Sequence, residues 1–117
     1  MNVQEFISSL FEIEVNMHIA HLQTTSYAEH KALDDLYKDI VDLRDRFIES
    51  YQGKYGIIKG YKSFQIKEGI DPINYLKECV EYTEEFRLTL KDGYLQQITD
   101  DILELKTSTL YKLINLK

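Results

Sequence analysis

Apolar side chains recur at helical spacing in four stretches of the chain, and no stretch shows the alternation typical of a strand. The first stretch runs from about Val3 to Gln23 and carries two apolar stripes. A helix that is apolar on two sides must bury both, so one stripe is predicted to face its own bundle and the other a subunit interface. The second of these stripes consists of Phe11, Val15 and Leu22.

The second helix is predicted to begin at a capping box, in which the Ser26 hydroxyl accepts from the backbone of Glu29 and the Glu29 carboxylate returns the bond. It is predicted to run to about Tyr51 and to stop near Gly53. Only two or three residues separate the first two helices, so they should be antiparallel neighbours.

Asp71 as N-cap and Pro72 at the first helical position predict the start of a third helix, which Gly93 should end. A fourth helix is predicted from about Leu95 to the C-terminus. Its apolar stripe is predicted to contain Ile98, Ile102, Leu105, Leu110 and Leu113.

The connection between the second and third helices, residues 52–70, lacks a sustained period and holds four of the five glycines. A connection of this length usually crosses over the length of a bundle, as in ferritin-type connectivity. The sequence therefore predicts one all-α domain over residues 1–117: a ferritin-like four-helix bundle with a long crossover between helices 2 and 3.

Charge, hydropathy and cysteine content argue against several classes of function and structure. The net charge of −6 argues against nonspecific DNA binding, because such binding relies on Lys and Arg to neutralise phosphates. No apolar run is long enough to cross a membrane and no basic–apolar leader is present, which predicts a cytoplasmic protein. The single cysteine, Cys79, excludes an internal disulfide and is predicted to pack as a buried apolar residue. Four lysines of the connection are predicted to form a solvated loop, not a DNA-binding arm: Lys54, Lys59, Lys62 and Lys67.

The second helix carries a polar face suited to metal binding. At 100° per residue, His30, Asp34, Asp45 and Glu49 fall within an arc of about 100°. The two pairs are about 16 Å apart along the axis, so one ion cannot bind both pairs of one chain. A two-fold axis near Ile40 would bring His30 and Asp34 of one chain opposite Asp45 and Glu49 of another. One His with three carboxylates suits iron or manganese, although another divalent metal is not excluded.

The first helix supplies candidates for a further ligand. Glu14, His18 and His21 lie at i, i+4 and i+7, so one face of that helix holds a carboxylate and two imidazoles. All three histidines of the chain lie within thirteen residues, on either side of one tight turn. The spacing alone leaves open whether His18 or His21 is the first-helix ligand.

The segment from His21 to Glu49 resembles the ferroxidase segment of Dps-type miniferritins. That family carries His-x-x-x-Asp and, eleven residues after this Asp, Asp-x-x-x-Glu; HKALD and DRFIE reproduce both motifs at the same offset. The resemblance implies that His30 and Asp34 bind iron from one subunit, Asp45 and Glu49 from its partner, and favours His21 as the ligand before the turn. The chain departs from the family where Leu22 replaces a Trp and Ser50 an Arg, and it lacks the family's basic N-terminal tail.

Two functions remain open. The resemblance implies a homo-oligomer, from a dimer to a dodecameric shell, that binds and oxidises Fe(II) for iron storage or oxidative protection. Short proteins of this kind are also similar to phage-encoded ferritin-like proteins. The alternative is therefore a non-enzymatic helical oligomer, such as a phage structural or host-interaction protein, acting in the host cytoplasm or the virion.

Overall fold

The computed structural model describes all 117 residues and contains four helices and no strand. Helix α1 spans Val3–Gln23, α2 spans Tyr27–Tyr55, α3 spans Pro72–Arg87 and α4 spans Gly93–Asn115. The prediction of an all-α chain with four helices is confirmed. None of the four helices combines the length and the apolar composition that crossing a bilayer requires.

Side-chain caps fix where the first two helices begin. Asn2 and Glu5 form a complete capping box at α1, with bonds of 2.8 and 3.1 Å between each side chain and the other's backbone N–H. At α2, Ser26 Oγ accepts from the Glu29 N–H at 3.2 Å, as predicted. The predicted return bond, from the Ser26 N–H to the Glu29 carboxylate, is wrong, because the Ser26 N–H donates to Thr24 Oγ1 at 3.1 Å instead.

Two predicted helix ends are also wrong. Helix α2 continues through Gly53 to Tyr55 and ends at Gly56, whose φ of 90° is the left-handed conformation that glycine adopts without strain. Helix α3 ends at Arg87, where tighter i→i−3 bonds such as Leu88 N–H to Glu85 O at 3.2 Å close the last turn. Gly93 does not end α3; it is the first residue of α4.

The helices form a bundle in which α1 packs against α2 and α3, and α4 packs against the same two helices. Three phenylalanines join three of these helices in the core. The Phe6 ring stacks on Phe86 with centroids 4.1 Å apart and meets Phe47 edge-on at 5.1 Å. Leu22 of the second predicted α1 stripe is 67% exposed, so the bundle of one chain does not cover that position.

Residues 57–69, which we call the strap, connect α2 to α3 and lie along α1. The strap is held by bonds that advance along α1 from its first turn to its last. Gln4 Nε2 donates to Lys59 O at 3.2 Å, and the Lys62 N–H donates to Ser8 Oγ at 2.8 Å. Further on, the Lys67 N–H donates to Asn16 Oδ1 at 2.9 Å, and Gln23 donates to the Glu68 carboxylate at 2.9 Å. The strap thus runs in the same direction as α1.

The buried face of α4 differs from the predicted stripe. Lys106 and Thr109 are buried, whereas Leu105 and Leu110 are only partly buried. The positions that continue the 3.6-residue period from the buried Ile98 and Ile102 are 106 and 109, so geometry and not side-chain polarity selects them.

Lys106 is fully buried between α4 and α3. Its Nζ donates to Thr83 Oγ1 at 2.7 Å and lies 5.1 Å from the centre of the Tyr82 ring. Desolvation lowers the pKa of Lys106 to about 8. Cys79 beside it is buried, as predicted, and burial raises the pKa of its thiol.

Candidate metal centre

The turn between α1 and α2 brings His21 and His30 into contact. Their rings stack with centroids 3.7 Å apart and planes 18° apart. Each Nδ1 bonds to the backbone oxygen of the other histidine, His21 Nδ1 at 2.7 Å and His30 Nδ1 at 2.8 Å. Because a carbonyl oxygen only accepts, each Nδ1 carries the hydrogen, and each neutral imidazole keeps a lone pair on Nε2. In metal sites, a hydrogen bond from the ring nitrogen that does not bind the metal orients the histidine.

Asp34 places a carboxylate beside these imidazoles. Its Oδ1 lies 3.8 Å from His21 Nε2 and accepts a bond from the Tyr37 hydroxyl at 3.0 Å. Lys38 Nζ donates to Oδ2 at 3.0 Å. The bond from Lys38, with a smaller contribution from Tyr37, lowers the pKa of the Asp34 carboxyl below its ordinary value, which favours the ionised form that binds metals.

His18 lies at the edge of this group. Its ring is exposed and stacks on Tyr37 with centroids 3.9 Å apart, while the centroids of His18 and His21 are 6.0 Å apart. Of the two α1 histidines left open by the sequence, His21 is therefore the one that the structure places in contact with His30 and near Asp34. The sequence did not predict the contacts of Tyr37 with Asp34 and His18.

The second ligand pair lies further along α2. Asp45 and Glu49 are exposed, and Asp45 Oδ1 accepts from Arg44 Nε at 3.2 Å. Arg44 is itself buried, with its guanidinium 3.9 Å from the centre of the Phe11 ring and ion-paired with Glu14 of α1. Glu14 thus belongs with this pair and not with His18 and His21. An arginine between the apolar Ile40 and Phe47 was the sequence signal for a buried ion pair.

A single chain does not bring together three or more His, Cys, Asp or Glu side chains in a group that could hold a metal ion. The geometry of the two rings also restricts metal binding by a single chain. A metal lies in the plane of the imidazole that binds it, at about 2.0–2.1 Å from the nitrogen. Stacked rings have separate planes, so His21 and His30 in this arrangement direct their lone pairs at different points. Completing a site requires further ligands, and sharing one ion requires one ring to rotate.

Comparison with known proteins gives two matches. A family model described as a family of unknown function matches residues 21–113, which include both ligand pairs of α2. The chain is also similar to the "Uncharacterized 14.6 kDa protein in mobD-ri intergenic region" of Enterobacteria phage T4, with 40% identity over 52 residues. That match covers 44% of this chain and 41% of the phage protein. No solved structure matches.

Proposed function

The chain belongs to this family, DUF5856, and we propose that this member is a Dps-like miniferritin that binds and oxidises Fe(II) at a site shared by two subunits. The observation that carries the proposal is the pair of imidazoles of His21 and His30 beside Asp34. Their mutual Nδ1–carbonyl bonds leave both Nε2 atoms free to bind a metal.

The second subunit would supply the rest of the site. Ile40 is fully buried, so the two-fold axis would pass the opposite, exposed side of α2 at the level of Ile40. Asp45 and Glu49 of the partner would then lie opposite His30 and Asp34. The combined set holds two imidazoles and three carboxylates, a donor set that fits iron. Fe(II) is the substrate, and the negative carboxylates stabilise Fe(III) more than Fe(II), which favours loss of an electron to oxygen or peroxide. The product would be mineralised inside a shell.

The path of the strap supports ferritin-type connectivity. A connection that runs along α1 returns the chain to the end of the bundle from which α2 set out, so α3 starts there. The neighbours of each helix agree with this: α1 contacts α2 and α3, and α4 contacts the same two. We propose on this basis that the bundle has the ferritin-like crossover between α2 and α3.

A second candidate function is a non-enzymatic helical oligomer, such as a phage structural or host-interaction protein. One observation favours it: two ligand carboxylates already have a cation in the same chain, since Lys38 binds Asp34 and Arg44 binds Asp45. Ion pairs of this type need no metal. The similarity to a phage T4 protein is compatible with this role.

Light scattering on the native protein, combined with Fe(II) titration, tests the two candidates. For a miniferritin we expect a particle of two or more chains, up to a dodecamer, that binds iron at every two-fold pair and oxidises it in air. An oligomer that neither binds nor oxidises iron would instead support the non-enzymatic function. A monomer would contradict the shared site, because α2 would then face solvent.

A further inference from the structure

The strap forms a basic strip on the surface of an acidic protein. The strap contains three lysines and one carboxylate, Glu68, whereas the whole chain has a net charge of −6. Lys54, near the end of α2, adds a fourth lysine just before the strap. Lys54 and Lys67 pair with carboxylates of the same chain, but Lys59 and Lys62 are exposed and have no ion pair. The strap also exposes large apolar side chains, namely Ile57, Tyr61, Phe64 and Ile66.

The outer face of α3 forms an acidic strip. It carries four exposed glutamates, none of which makes an ion pair within the chain: Glu78, Glu81, Glu84 and Glu85. One exposed lysine, Lys77, lies on the same face, so the face has a net charge of −3. Leu88, at the end of this face, is 82% exposed. The acidic strip thus has the same make-up as the basic strip, with unpaired charges beside exposed apolar surface, but with the opposite sign.

The two strips lie side by side on the bundle. Phe64 of the strap and Tyr82 of α3 line the same groove, and Lys67 Nζ lies 5.9 Å from the centre of the Tyr75 ring of α3. The strap runs in the direction of α1, and α3 begins where the strap ends, so the two strips run in opposite directions.

We propose that this side of the bundle binds a second copy of the chain about a two-fold axis, with the strap of each copy lying on the α3 helix of the other. The two-fold axis runs parallel to the two strips and between them. Rotation by 180° about this axis places the basic strip of one copy opposite the acidic strip of the other. Such charge complementarity selects the partner and its register. The exposed leucine and the apolar side chains of the straps would be buried in the contact.

Spacing and area agree with this contact. Lys59 and Lys62 are three residues apart, about 10 Å in an extended chain. Glu78 and Glu85 are seven residues apart, also about 10 Å along a helix. The bundle measures 43 × 25 × 21 Å, so one long side can provide the roughly 800 Å² per partner of a stable interface. The strips do not include the ligand pairs of α2, so the contact is independent of the proposed iron site.

Two charge-reversal variants test the contact. We expect Lys59→Glu with Lys62→Glu, and separately Glu81→Lys with Glu85→Lys, to reduce the mass of the native particle at least twofold in low salt. In the first variant both strips are acidic and repel the copy, and in the second the α3 strip is no longer acidic and does not attract the strap. An equal mixture of the two variants should restore the mass, because the acidic straps of one then face the lysines introduced on the α3 helices of the other. High salt should weaken the wild-type contact by screening.

The control for the lysine reversal is Lys91→Glu with Lys117→Glu, which makes the same change in net charge at exposed lysines outside the strips and should keep the wild-type mass. Sedimentation velocity measures the mass, and circular dichroism checks that each variant is helical. If a variant does not fold, disulfide formation between a Lys62→Cys chain and a Glu81→Cys chain gives the same test. Wild-type mass in both reversal variants, or no crosslink, would overturn the proposal.

Discussion

A mixed dimer of Asp34→Ala and Glu49→Ala chains should recover about half of the wild-type Fe(II) oxidation, although neither variant alone should show any. In either homodimer each of the two shared sites loses a ligand. In the mixed dimer both lesions fall on one site, because Asp34 of one chain and Glu49 of its partner bind the same iron. The other site keeps all of its ligands.

The measurement is the initial rate of Fe(II) oxidation, made on mixed dimers purified through two different affinity tags. Asp35→Ala is the matched control, since Asp35 is an exposed neighbour of Asp34 that pairs only with Lys112 of α4, at 3.6 Å. That variant should oxidise Fe(II) at the wild-type rate. An inactive mixed dimer would contradict an iron site shared by Asp34 of one subunit and Glu49 of its partner, and wild-type rates in both homodimers would show that α2 carries no iron site.

Replacing Lys106 with methionine should stabilise the fold at neutral pH. The ammonium is fully buried, and Thr83 Oγ1 at 2.7 Å is its hydrogen-bond acceptor; no carboxylate lies within ion-pair distance. A pKa lowered from 10.5 to about 8 corresponds to a penalty on the order of 3 kcal/mol for burying the charge. Methionine fills a similar volume without the charge, so the variant should gain up to that amount.

The same lysine makes the stability of the wild-type protein depend on pH. Between about pH 8 and pH 10.5 the unfolded chain holds the Lys106 proton more tightly than the folded chain, so the free energy of unfolding should rise with pH. Below about pH 8 both states carry the charge and the full penalty remains. The difference between wild type and Lys106→Met should therefore be largest at neutral pH and shrink as the pH rises.

Urea unfolding of both proteins from pH 7 to pH 9.5 measures this difference, and the comparison cancels the titration of buried groups that do not interact with Lys106. Lys112→Met is the matched control on the same helix, because Lys112 lies partly exposed at the surface and its ion pair with Asp35 should contribute less than about 1 kcal/mol. A Lys106→Met protein that is less stable at neutral pH, with a pH dependence parallel to wild type, would mean that Thr83 and the Tyr82 ring more than offset the desolvation.

Local sequence signals predicted the helix ends correctly where those signals act on the backbone directly. Asp71 and Pro72 start α3 as predicted, and α1 has its predicted bounds. These signals failed at Gly53, which does not adopt a positive φ and does not end α2. The helix, already twenty-six residues long at that point, continues through Gly53 to Tyr55. The apolar pattern also failed at Lys106. It identifies buried positions by side-chain type, so it misses a polar residue that lies on the buried face of the helix.

The candidate site was predictable only in part. Spacing on α2 identified His30, Asp34, Asp45 and Glu49, because residues four apart share a helix face. It did not show that His21 stacks on His30, since that contact depends on the angle between two helices. Nor did it show that Arg44 links Glu14 to Asp45, because the position of Arg44 between Ile40 and Phe47 indicates burial but does not identify a partner on another helix.

The mutual bonds of His21 and His30 also restrict the length of the turn between α1 and α2 in related sequences. Each imidazole is anchored to the main chain of the opposite helix, so the orientation of both nitrogens depends on the length of the turn between Gln23 and Tyr27. An inserted residue there would separate the two anchors and turn both rings. Among relatives, turn length should therefore vary together with the presence of this histidine pair, and lineages that lengthen the turn should lose both histidines rather than one.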